Sequence, residues 1–99
     1  MEIKTFKDLE FIKEYNVVKA TCMFDNGYGI SVAMGPFTKG GIAGLYEMTP
    51  LKSVPQVNSA VHYFNSSVAD DTVGHLNQNQ VTEYMKLIQE LTIWKYLLF

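Results

Sequence analysis

The sequence predicts one α+β domain, in which an antiparallel sheet of three to five strands is covered on one face by a C-terminal amphipathic helix. Alternating apolar residues flank the turn residues Asp25, Asn26 and Gly27, a pattern typical of a β-hairpin. Apolar residues recur at helical spacing after Asn77, which indicates the helix. The 99 residues are 47% hydrophobic and 18% charged, so we expect the whole chain to bury one core but not two.

The register of the hairpin follows from the distribution of its apolar side chains. A two-residue Asn-Gly turn would pair Phe24 with Gly29 and mix apolar and polar residues on both faces. A three-residue loop with Gly27 as a bulge at positive φ leaves one face wholly apolar. We therefore predict the bulged hairpin, in which the pairs are Phe24 with Tyr28, Cys22 with Ile30, Ala20 with Val32, and Val18 with Met34.

Glycines and prolines delimit the elements on either side of the hairpin. Residues 35–41 are predicted to be a loop, a strand pattern resumes over 42–49, and Pro50 is predicted to stop it. A second loop is predicted over 52–59 and a short last strand over 60–64. The N-terminal residues 9–13 favour an edge strand, although Thr5 as an N-cap also permits a helical turn.

The C-terminal helix is predicted from its start signal and its apolar spacing. Asn77 followed by Gln80 is typical of a capping box, and it precedes Val81, Tyr84, Met85, Ile88 and Leu91. We predict the helix over 78–95. Lys95 lies near its end, where a positive charge interacts favourably with the helix dipole. Residues 92–99 form an apolar extension, which is far shorter than the ~20 residues of a membrane span.

Charge and cysteine content limit the classes of partner. The formal net charge is -2, and all eight basic residues are lysines. Arginine supplies the planar fork that grips phosphates and guanines, so its absence disfavours binding to duplex nucleic acid. Cys22 is the single cysteine and cannot form an intrachain disulfide, which fits a reducing cytoplasm.

The sequence contains no recognisable catalytic or metal-binding set. A zinc site needs about four ligands, and the sequence offers only the scattered residues His62, His75 and Cys22. The predicted register places Cys22 on the apolar face of the hairpin, as a core thiol. Asp70 and Asp71 precede a predicted short helical turn, which favours capping over acid–base or magnesium chemistry. We therefore expect no metal, no cofactor and no enzymatic activity.

Five segments resemble a widespread family of small bacteriophage proteins: DLEF at 8–11, FDNGYGISV at 24–32, YE at 46–47, DDTVGHL at 70–76 and VTEYM at 81–85. The resemblance implies a phage accessory protein that acts in the cytoplasm of the host bacterium. It provides no catalytic residue. Residues 50–60 and 92–99 depart from the pattern of the family.

Residues 35–44 are the predicted ligand-binding segment. Exposed amides beside glycines can hold a phosphate together with Lys39, while an aromatic ring such as that of Phe37 stacks on a base. The segment lacks the spacing of a Walker motif, and a plain connection between strands is the alternative. The predicted ligand-binding residues are Phe37, Thr38, Lys39, Gly40, Gly41, Tyr28 and Tyr46.

Two functions remain open, and the apolar tail bears on both. An exposed apolar terminus favours association, so we expect a homo-oligomer, although the tail also has the option of folding back onto the core. The predicted interface residues are Ile93, Trp94, Tyr96, Leu97, Leu98 and Phe99. The first function is a counter-defence binder that sequesters a small host signal, such as a cyclic nucleotide, between subunits. The alternative is an inhibitor that docks on a host defence enzyme through the exposed hairpin face or the tail.

Overall fold

The computed structural model describes residues 3–52 and 72–91. Within these residues five strands form one antiparallel sheet in sequential order, and one helix, α1 (Gln78–Gln89), packs on it. The strands are β1 (Ile12–Glu14), β2 (Val17–Met23), β3 (Tyr28–Met34), β4 (Tyr46–Lys52) and β5 (Val73–Leu76). Two 3-10 turns lie at Phe6–Asp8 and Gly41–Ala43. The predicted α+β fold is confirmed.

The hairpin of β2 and β3 has the predicted bulged register. Cys22 pairs with Ile30, and the Phe24 N–H donates to the Tyr28 carbonyl over 2.7 Å. Gly27 has a φ of 88°, which glycine adopts at little cost because it has no Cβ. The turn therefore keeps the buried residues Ala20, Phe24, Ile30 and Val32 on one face of the hairpin.

The core lies between the apolar face of this hairpin and α1. Alternate residues of β3 and residues four apart in α1 point at each other, and the fully buried side chains are Ile30, Val32, Val81 and Met85. Cys22, predicted as a core thiol, is only half-buried at the margin of this cluster, and burial raises the pKa of its thiol.

The helix begins where the sequence predicts and ends earlier. The Gln80 N–H donates to Asn77 Oδ1 over 2.8 Å, and the Asn77 N–H donates to Gln80 Oε1 over 2.9 Å, which confirms the capping box. The predicted end at residue 95 is wrong, since α1 ends at Gln89. Its last carbonyls accept hydrogen bonds from the Asn26 side chain of the hairpin, and the Ile88 carbonyl also accepts from the Leu91 N–H. Residues 92–99 lie outside the described residues.

The N-terminal segment contains both of the structures that the sequence permits. The Thr5 N–H donates to Asp8 Oδ2 over 2.8 Å at the start of the first 3-10 turn. The edge strand follows at Ile12–Glu14, shorter than the predicted 9–13 stretch, because Leu9 turns inward and is buried in the core.

Strand β4 differs from its prediction at both ends. The 3-10 turn at Gly41–Ala43 delays its start to Tyr46, so the predicted start at residue 42 is wrong. The strand also continues through Pro50, which pairs with Ile30, to Lys52. Proline lacks an N–H, but a strand tolerates it where the neighbouring strand does not need that donor.

Residues 73–76 form a strand, not the predicted short helical turn. Pairing with β4 makes this segment the far edge of the sheet, and it places His75 in a strand where the sequence suggested a turn. The predicted strand over 60–64, together with His62, Asp70 and Asp71, lies outside the described residues.

Candidate binding loop

The connection from β3 to β4, residues 35–45, is an ordered loop, which we call the display loop. Its first turn is closed in both directions, because the Gly35 N–H donates to Thr38 Oγ1 over 2.8 Å and the Thr38 hydroxyl donates to the Gly35 carbonyl over 2.9 Å. Its second half turns around Gly40, which has a φ of 95° and whose carbonyl accepts from the N–H groups of Ala43 and Leu45.

The display loop is fastened to β4 and β5 through Lys39. The Lys39 N–H donates to Glu47 Oε1 over 2.8 Å, and the Lys39 carbonyl accepts from the His75 N–H over 3.0 Å. The approach is close, since a Cβ on Gly40 would lie 2.8 Å from His75 Cα and a Cβ on Gly74 would collide with Lys39. Glycines at both contact points therefore allow the loop to lie against the strand.

A bulge in β5 creates this attachment. Tyr46 pairs with Leu76 and Met48 pairs with Val73, so three steps along β5 face two steps along β4. The extra residue puts His75 at a φ of 60°, a left-handed conformation that costs about 1–2 kcal/mol for an L-residue. Sequence reasoning missed this role of His75; the glycine directly before it, inside a strand-like segment, is the signal for a bulge.

Polar side chains support the loop from β4 and from the residue before β5. Glu47 is half-buried and accepts the Lys39 amide, and the hydroxyls of Thr49 and Thr72 share a hydrogen bond of 2.8 Å. The Lys39 ammonium reaches the Thr72 carbonyl over 3.4 Å. Glu47, Thr49 and Thr72 are not among the predicted ligand-binding residues, because their proximity to the loop depends on the pairing of β4 with β5.

Large apolar side chains project into solvent at this end of the sheet. Phe37 is 97% exposed and Ile42 is 89% exposed, both on the display loop. Tyr15 is 96% exposed in the turn between β1 and β2, whose Asn16 carbonyl lies 3.1 Å from the place of a Cβ on Gly35. We call Tyr15, Phe37 and Ile42 the display surface. Its three side chains lie on backbone that the fold holds in place.

Most amides of the display loop already have acceptors within the protein. The N–H groups that donate to protein oxygens belong to Gly35, Thr38, Lys39, Gly41, Ala43, Gly44 and Leu45. A phosphate bound here would therefore depend chiefly on the ammonium of Lys39. The loop therefore has fewer free N–H groups for binding a phosphate than its glycines suggested.

The two tyrosines of the predicted site lie at opposite ends of the sheet. Tyr46 follows the display loop and packs on Phe6 and Phe11, with ring centroids 5.1 Å and 5.7 Å away. Tyr28 pairs with Lys52, six residues along β4 from Tyr46, which corresponds to about 20 Å. One chain therefore brings Tyr46 to the loop but not Tyr28. The predicted interface residues 93–99 lie outside the described residues.

Other kinds of site find little support in the described parts of the chain. Across residues 3–52 and 72–91, no three His, Cys, Asp or Glu side chains are grouped so that they could hold a metal ion. In the same ranges no helix combines the length and the apolar character that crossing a membrane requires. Comparisons with protein-family models, with curated proteins and with solved structures found no match.

Proposed function

We propose that the protein is a non-enzymatic binding protein that docks on a partner protein through the display surface. The observation that carries this proposal is the exposure of Phe37 and Ile42 on a loop whose backbone is fixed by hydrogen bonds to β4 and β5. A loop that only connects two strands needs neither the fixed backbone nor the projecting apolar side chains. Large apolar anchors on a preorganised backbone lose little entropy on binding and are typical centres of protein interfaces.

The chemistry of the display surface indicates the kind of partner. Its apolar side chains fit hydrophobic pockets, and the charge of Lys39, which lies between Phe37 and Ile42 in the sequence, favours a rim with acidic groups. The resemblance of several segments to small bacteriophage proteins suggests a defence enzyme of the host bacterium as this partner. Blocking such an enzyme requires affinity alone, which agrees with the proposal of a protein without catalysis.

A small host signal, such as a cyclic nucleotide, is the second candidate ligand. The exposed ring of Phe37 and the exposed residue Lys39, two positions further along the loop, favour it, because a base can stack on the ring while the cation holds a phosphate. A site that also includes Tyr28 requires a second copy of the chain, since Tyr28 lies at the other end of the sheet from Tyr46. This candidate therefore depends on a homo-oligomer.

A photo-crosslinking residue in place of Phe37 tests the main proposal in bacteria that carry candidate defence enzymes. We expect a covalent adduct with one of these enzymes, and we expect the Ile42→Ser variant of the same protein to lose it. The matched control is Leu87→Ser, which removes an apolar side chain that is 59% exposed on α1, far from the loop in sequence. Loss of the adduct in both variants, or in neither, would contradict docking through the display surface.

Incubation with a panel of cyclic nucleotides distinguishes the second candidate. After the unbound nucleotide is washed away, heat denaturation releases any retained ligand for mass spectrometry. Release of an intact nucleotide supports sequestration, and its loss in Phe37→Ala places the ligand at the display loop. Release of an altered nucleotide would contradict the proposal that the protein is not an enzyme.

A further inference from the structure

The side chain of Asn26 joins the hairpin turn to the end of α1. The two hydrogens of its Nδ2 are shared among the carbonyls of Ile88, Gln89 and Leu91, which lie 2.8, 3.2 and 2.9 Å from the nitrogen. Its Oδ1 accepts from the Tyr28 N–H over 3.0 Å. The position requires an uncharged amide, because one end must donate while the other end accepts. These bonds supply hydrogen-bond donors at the end of the helix, where backbone N–H donors are few; the Ile88 carbonyl also accepts from the Leu91 N–H.

The residue that follows Asn26 makes its amide chemically vulnerable. Gly27 has no Cβ, so nothing on it hinders the approach of its backbone nitrogen to the side-chain carbon of Asn26. We propose that Asn26 is a deamidation site, and that its conversion to a carboxylate is a one-way release of the helix end from the hairpin.

The reaction needs only base and water. Base removes the proton of the Gly27 amide, and the nitrogen attacks Cγ of Asn26. A bond from this nitrogen to Cγ forms, the bond from Cγ to Nδ2 breaks, and Nδ2 takes up a proton and leaves as ammonia. Water then adds to one of the two carbonyl carbons of the cyclic imide and opens it to aspartate or isoaspartate at position 26.

The native contacts hold this reaction back. The Gly27 N–H donates to the Phe24 carbonyl over 3.1 Å, which keeps the proton that must be lost. The leaving nitrogen is held at the same time by the three carbonyls at the end of α1. The turn and the helix end must therefore open locally before Gly27 can attack, and such local openings are more frequent at helix ends than in the core.

The product cannot restore the contact. A carboxylate at position 26 has no hydrogen to donate, and it would face the carbonyl oxygens of Ile88, Gln89 and Leu91. The carbonyls of Ile88 and Gln89 also belong to the negative end of the helix dipole, which repels an anion. Isoaspartate additionally lengthens the backbone of the turn. Each product therefore leaves the helix end detached.

Peptide mapping by mass spectrometry tests the site and its protection. The intact protein is incubated at mildly alkaline pH in buffer and in urea, and conversion is followed at Asn26 and at Asn16, which precedes the bulkier Val17. We expect Asn26 to convert first in urea, and to convert at least about tenfold more slowly in buffer, because reaction requires local opening. Conversion of Asn16 before Asn26 in urea would overturn the site, and equal rates for Asn26 in both solvents would overturn the native protection.

Thermal unfolding of the product tests the release. Deamidated protein is separated from intact protein by its added charge, and its midpoint is expected to be lower than that of the fresh protein. The Asn26→Asp variant should show the same decrease, whereas Asn16→Asp, which adds the same charge in an exposed turn, should unfold like the wild type. If Asn26→Asp does not fold, the deamidated wild type still provides the comparison. An unchanged midpoint for that material would overturn the proposal.

Discussion

Gly27 and His75 take left-handed conformations for different reasons. Gly27 lies in the bulge of the hairpin and uses the freedom that glycine has at a φ of 88°. His75 lies in the bulge of β5 at a φ of 60°, although it carries a Cβ. The first conformation sets the register of the core strands, and the second brings the His75 N–H to the display loop. Substitutions at the two positions should therefore change stability in opposite directions.

Gly27→Val should lower the free energy of unfolding by about 1–3 kcal/mol, because a β-branched residue is strained at this φ. Urea denaturation of the variant and the wild type gives the difference. Asp25→Val, in the same turn but without a positive φ, is the control and should change stability less. Equal midpoints for Gly27→Val and the wild type would contradict the bulged turn.

His75→Gly should raise the free energy of unfolding by up to about 1 kcal/mol, because it relieves the left-handed strain at an exposed position. Thermal and urea denaturation measure the gain. His75→Ala removes the imidazole but keeps the Cβ, so it should show no such gain. A gain for alanine equal to that for glycine would mean that the imidazole, not the backbone, is the source of the strain.

An asparagine side chain forms hydrogen bonds at each end of helix α1, one from a neighbouring residue and one from a residue distant in sequence. Asn77 acts within its own turn through Gln80, so a stretch of four residues was enough to predict it. Asn26 reaches the helix end from 62 to 65 residues away, so no local pattern predicts where α1 stops. The predicted helix was therefore right at its start and too long at its end.

Asn77→Ala should lower the free energy of unfolding by about 1 kcal/mol, because the first turn of α1 loses its side-chain acceptor. Circular dichroism followed through thermal unfolding measures this loss. Asn79→Ala, two residues further along on the exposed side of the same turn, should have a much smaller effect. If the two variants are equally stable, the capping box does not contribute to stability.

Among the strands, too, some features follow from nearby sequence and others depend on pairing with distant residues. The hairpin of β2 and β3 was predictable in register because its pattern of side chains and its turn lie within one short segment. Strand β5 was not predictable, since Val73 and Leu76 become a strand by pairing with β4. The same pairing places Glu47 and His75 under the display loop. The sequence therefore indicated the loop but not the contacts that hold it.

The two ends of the sheet have different roles in the molecule. At one end the hairpin turn carries Asn26, which fastens α1 over the core. At the other end, the turn between β1 and β2 and the display loop carry Tyr15, Phe37 and Ile42 into solvent. Because the sheet and helix lie between the two ends, binding at the display surface need not disturb the helix contact.

The proposed function depends on the display loop being ordered before a partner binds. Amide hydrogen exchange by NMR on the free protein tests this most directly, because the N–H groups of Lys39 and His75 donate to Glu47 and to Lys39 across the contact. The structure predicts that both amides exchange much more slowly than those of an unfolded chain, although the loop carries the exposed Phe37. Exchange of both at the rate of an unfolded chain would show a loose connection and contradict the proposal.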